Sequence, residues 1–173
     1  MKKIIALLLL SLTVTNCEKD DICSESTETT PRMHIAFYDI NFPSTDTPKN
    51  VVKLRINGIG DPDPGVLPGY DGSKNLSEAY LPLKTTEGST QFILHKNYRL
   101  DDNDNVLGNP DTITVSYVRK DIYVSRACGY KTIFENVIIT VDDDGDKWIQ
   151  LVRAQNDNQT IENESDIHYK IYH

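Results

Sequence analysis

The sequence predicts an all-β domain, an antiparallel β-sandwich of eight or nine strands, with a closed β-barrel as the alternative way to close the sheet. Three observations lead there. Apolar and polar residues alternate with period two: Val52, Leu54 and Ile56 against Lys53, Arg55 and Asn57, and Ile113, Val115 and Tyr117 against Thr114 and Ser116. This is the pattern of half-buried strands. Nine such β-rich runs are separated by turn-forming residues, as in sandwiches and barrels. No segment beyond the first 16 residues sustains a helical apolar period.

The chain opens with Met1-Lys2-Lys3 and an apolar run over residues 4–14, a charged n-region and an h-region of signal-peptide length. A spanning helix needs about 20 apolar residues, so this run is read as a processed signal and not as a permanent anchor. The segment Val14-Thr15-Asn16-Cys17 resembles a bacterial lipobox, with Asn16 where Gly, Ala or Ser is commoner. That resemblance implies cleavage before Cys17 and acylation of its sulfur. Several acyl chains would then hold the protein to a bilayer, since each buried methylene contributes about 0.8 kcal/mol. The next residues, Glu18-Lys19-Asp20-Asp21, resemble the surface-export signal of Bacteroidota lipoproteins. The domain expectation is a signal over 1–16, a lipidated tether over 17–32 and one β-sandwich over 33–173.

The predicted strands follow in order. Residues 33–40 and 52–57 come first. Residues 58–72 interrupt, because eight of these fifteen are Gly or Pro; they are read as a long mobile loop or, secondarily, as a contact site. Strands are then expected at 79–83, 90–95, 113–117, 122–127, 130–141, 148–154 and 167–172. Between them, Val141-Asp142-Asp143-Asp144-Gly145-Asp146-Lys147 reads as a hairpin turn or a loop, since Asp-Gly supplies positive φ. It fails as an EF-hand, because Thr140 and Leu151 would fall where carboxylates belong, and the 101–105 run puts Val106 where the glycine belongs.

The cysteines number three. Setting Cys17 aside for lipid leaves Cys23 and Cys128, an even pair in an oxidising compartment, and they are expected to be bonded. Closing a loop of about 100 residues stabilises by up to roughly 4.7 kcal/mol. The competing reading of Cys128 as a catalytic or metal-binding thiol finds no CxxC and no nearby His.

Composition and motifs narrow the chemistry. The formal charge of -8 becomes more negative once Lys2 and Lys3 leave with the signal, so nucleic acid is not expected as a partner. No GxSxG, HExxH or phosphate loop is present, and no cofactor or metal site is expected. His34, His95, His168 and His173 are scattered. Glu162 and Glu164 would share one face of a strand, where a carboxylate pair could do acid-base work if their environments differed. Tyr70 and Tyr98 are the loop aromatics suited to a glycan.

The segments 123–130 and 160–164, with Phe37-Tyr38-Asp39, Leu81-Pro82-Leu83, Trp148 and the closing 168–172, make the chain resemble a family of uncharacterised Bacteroidota lipoproteins classed as a domain of unknown function. The resemblance implies an envelope lipoprotein with a β-rich domain and brings no activity with it. The expected function is a binding or scaffolding module lipid-anchored at the outer membrane, facing an outer-membrane protein or a surface glycan. The alternative is an envelope enzyme with an unrecognised carboxylate site.

Overall fold

The computed structural model describes residues 22–60 and 65–173. The expected lipid-attachment residue Cys17 and the expected export residues Lys19, Asp20 and Asp21 lie outside the described residues. Among the described residues nine strands form two sheets: β1 (Met33–Tyr38), β2 (Arg55–Ile59), β3 (Val66–Asp71), β4 (Glu78–Leu81), β5 (Ser89–Leu100), β6 (Val106–Ser125), β7 (Gly129–Val141), β8 (Leu151–Ala154) and β9 (Tyr169–Tyr172). One sheet has the order β4-β1-β9-β8 and the other β3-β2-β5-β6-β7. Both are open, so the architecture is a sandwich and not a closed barrel. All pairings are antiparallel except β1 with β9, which is parallel.

The core follows from the period. Met33, Ile35 and Phe37 from one sheet meet Ile56, Phe92, Leu94, Ile113, Val115 and Phe134 from the other, all but excluded from solvent. Burial of this kind contributes about 1.5–3 kcal/mol per large apolar side chain before chain entropy is subtracted. The other face of β1 is buried as well. The segment after β1 folds back over it, with Asp46 accepting from Lys170 Nζ at 2.6 Å and from the Tyr172 hydroxyl. Ala36, Tyr38 and Tyr172 form a second small core beneath that segment.

Four sequence expectations are corrected. The runs at 113–117 and 122–127 belong to one 20-residue strand, β6. The charged Arg119-Lys120-Asp121 does not break it, because beyond Ser116 β6 has left β5 and pairs only with β7. There β6 is the edge of the sheet, and an exposed edge strand has room for charge. The glycine- and proline-rich stretch contains β3, an edge strand with Pro68 where no ladder donor is required and Gly69 at φ 87°. Leu67 of β3 is buried, and Tyr70 reaches across to the other sheet, its hydroxyl accepting from Tyr80 N at 2.8 Å. The 142–147 segment is a sheet-to-sheet connection, not a hairpin, since β7 pairs with β6 and β8 with β9; Gly145 does take positive φ, at 85°. Val52 is exposed and Lys53 sits at φ 47°, so the second strand begins only at Arg55.

Candidate functional site

β6, the longest strand at 20 residues, extends roughly 65 Å at about 3.3 Å per residue and ends in a hairpin on either side. At its C-terminal end the turn over 126–128 joins it to β7, with Ser125 opposite Gly129. Cys128 N donates to Ser125 Oγ at 3.0 Å, and Gly129 takes φ 70°. Here Cys23 and Cys128 meet at disulfide distance, with their sulfurs 2.03 Å and their Cα atoms 4.9 Å apart.

The segment behind Cys23 does not hang free. Lys131 Nζ donates to Glu28 at 2.6 Å and Thr132 N to Thr30 Oγ1 at 3.0 Å, so it lies along the arm. Arg32 then grips Glu164 with two guanidinium bonds, at 2.9 and 2.6 Å, and one from its own backbone N–H. The guanidinium also lies 5.1 Å from the centre of the Tyr80 ring. Residues 23–32, expected as a tether, are therefore docked on the domain by one covalent and several polar contacts.

Two clefts flank this docked segment. One, of about 330 Å³, lies between Thr27–Glu28 and Glu162–Ser165. The other, of about 260 Å³, has Cys23, Cys128, Val124, Tyr130 and Lys131 in its walls. Glu162 and Glu164 stand on a loop and not on one face of a strand. Hydrogen bonding from Arg32 holds the Glu164 carboxyl below the usual carboxylate range, whereas Glu162 is exposed. The structure brings the pair into the wall of one cleft but commits one member to an ion pair.

The four histidines are all buried. His34 and His168, far apart in sequence, meet where β1 and β9 converge: His34 N donates to His168 Nδ1 at 2.9 Å, and His168 N to His34 O. His34 Nε2 lies 3.1 Å from Glu78, and its ring stacks on Tyr80 at 4.4 Å. Burial, with His34 beside it, holds His168 below the ordinary histidine value. His34 Nδ1 and His95 Nε2 have no hydrogen-bond partner among the described residues. Period and spacing could not have shown the His34–His168 contact, because it depends on the parallel β1–β9 pairing. Among the described residues no group of three His, Cys, Asp or Glu is arranged to hold a metal.

Tyr70 and Tyr98 are half-buried and engaged. Tyr98 packs against Gly72, where a Cβ would come within 2.5 Å of the ring, and lies under Arg55 at 4.4 Å. Tyr123 and Tyr130, exposed aromatics that the sequence did not single out, are cross-strand neighbours on the arm with ring centres 5.4 Å apart. A tight turn over 126–128 between the expected strands 122–127 and 130–141 would have placed them there.

Fold and site together define a disulfide-tied, two-sheet β-sandwich whose N-terminal segment is strapped to a projecting hairpin. The chain belongs to the family of unknown function DUF6452, whose model matches residues 54–173. β1 lies before that range yet sits between β4 and β9, so the strap and first strand complete a sheet that the matched region leaves open. No curated protein and no solved structure matches the chain.

Proposed function

We propose that this chain is an envelope lipoprotein, acylated on Cys17 and held at the outer membrane, which works there as a binding or scaffolding module. The observation that carries the reading is the meeting of Cys23 with Cys128 six residues beyond the lipobox-like VTNC. A bonded pair suits an exported, oxidising setting, and the signal-like N-terminus supplies the route there. Lys19, Asp20 and Asp21 direct display on the cell surface. An outer-membrane protein or a surface glycan is the partner class that such a position offers.

Intact-mass analysis of protein extracted from the native membrane tests the anchor. A diacylglyceryl-modified chain beginning at Cys17 is expected, and an unmodified chain in the soluble fraction refutes it. Replacing Lys19, Asp20 and Asp21 together by Ala should remove accessibility to external protease on whole cells; unchanged accessibility refutes surface display.

A further inference from the structure

Large apolar side chains face water at both ends of β6, with Leu100, Val106 and Leu107 at its N-terminal hairpin, but the disulfide end holds the most exposed of them. Among the described residues, the three most exposed are Ile22 at 82%, Tyr130 at 69% and Tyr123 at 59%, and all three belong to the end that carries the disulfide. Ile22 adjoins Cys23. Tyr130 lines the cleft formed by Cys23 and Cys128, and Tyr123 lies directly across the ladder from it.

The exposure has a structural cause. Arg119, Asp121 and Tyr123 pair with Phe134, Thr132 and Tyr130, and Phe134 points into the core. The two tyrosines therefore continue the core-facing side of β6 and β7 past the point where another sheet covers it. Arg126, in the turn beside them, is exposed and makes no ion pair among the described residues.

We infer that this tip, formed by Tyr123, Tyr130 and Ile22 with Arg126, rests in the headgroup region of the bilayer leaflet that receives the acyl chains. It gives the protein a second point of membrane contact. The inference rests on the proposed acylation of Cys17 and adds an orientation to it. Cys23 is six positions beyond Cys17, a reach of at most about 20 Å, and the disulfide fixes Cys23 to the base of the tip. A lipidated Cys17 thus keeps the tip within that distance of the membrane surface. Tyrosine is favoured at the membrane–water boundary because its ring is apolar and its hydroxyl is wet. An exposed arginine suits an anionic headgroup layer. Docked in this way, β6 carries the opposite hairpin away from the membrane.

The test uses the full acylated chain in vesicles of phosphatidylethanolamine and phosphatidylglycerol. Tyr123→Trp and, separately, Tyr130→Trp place a fluorescent reporter at the tip, and Phe42→Trp places one on an exposed segment elsewhere. The unsubstituted chain, whose Trp148 is buried, sets the background. The tip reporters should shift to the blue and be quenched by lipids brominated near the headgroup on the order of twofold more than the Phe42→Trp reporter. Equal quenching at all three positions overturns the inference while leaving acylation standing. A tip reporter that responds to soluble envelope polysaccharide and not to vesicles overturns it in favour of a glycan. An unmodified Cys17 in the mass analysis overturns both the inference and the reading beneath it.

Discussion

The two hairpins that end β6 solve the same problem by different means. At the N-terminal end of the strand, the turn over 101–105 is closed by one side chain. Asp101 accepts from the backbone N–H groups of Asn103 and Asn105 and from the Asn105 amide, and these bonds hold its carboxyl below the ordinary value. At the C-terminal end, the turn over 126–128 is held by Cys23 from outside the hairpin and by the strap along β7. A lone two-stranded hairpin is marginal in water. The acidic turn meets that difficulty locally, with residues two to four positions apart. The cysteine-bearing turn meets it with a contact that closes 105 residues of chain. The first should survive wherever its own few residues survive, and the second should fail as a unit with its strap.

The largest expected effect separates the ends most sharply. Cys128→Ser should destabilise the oxidised protein by about 2–5 kcal/mol, and Cys23→Ser by the same amount, because each removes the same bond. Hydrogen exchange should accelerate over residues 22–32 and 118–131 while the 101–105 turn keeps its protection. Unequal losses from the two substitutions, or loosening of the acidic turn, would break the distinction.

Acid should act on the body between the two ends. Burial, helped by Lys96, holds His173 down to about 4, and burial also lowers His95 and His168. A histidine whose folded pKa is depressed takes up its proton more readily when unfolded. Stability is therefore full above about pH 6.5 and falls as the pH drops toward 4, by up to about 3 kcal/mol for His173. Asp111 works in the opposite sense, since burial raises its pKa and protonation favours the fold. It offsets part of the histidine loss at the acid end, as the pH falls through its raised pKa. Denaturant melts at pH 7 and pH 5 should show the drop, and His173→Gln should shrink it; a profile flat over that interval contradicts the sign.

Arg32→Ala should cost about 1 kcal/mol or less, since the ion pair with Glu164 is partly exposed. Its effect should appear as faster exchange in the strap and no change at the acidic turn. The smallest effect belongs to Asp101→Ala. The amides of Asn103 and Asn105 should exchange faster with the melting temperature nearly unmoved, and a large fall in that temperature would show that the turn supports more than itself.

How far the sequence revealed this arrangement depends on the range of the contacts involved. The sandwich was legible because period two is a local property. The cysteine pairing was legible too, by elimination. The arm was hidden because Arg119-Lys120-Asp121 looks like a break unless β5 is known to stop pairing at Ser116, and β3 was hidden because its glycines and Pro68 suit an edge strand as well as a loop. The apposition of His34 and His168 arises from the one parallel pairing, which no local pattern encodes. The exposed tyrosines lie within the expected strands, but only the register of the tight turn over 126–128 sets Tyr123 opposite Tyr130.

The parallel pairing also sets an order on folding. Ile35 and Tyr169 are register partners at the centre of their sheet, so β1 cannot be completed until the chain as far as β9 has been made. All six residues of β1 are buried in the finished molecule. Until β9 arrives, this adhesive strand has only β4 as a partner. Sheets that depend on such distant pairing fold slowly and expose aggregation-prone surface while they wait. A chain delivered N-terminus first spends its longest unfinished interval with β1 uncovered, and that interval is where a holding chaperone would have the most to protect.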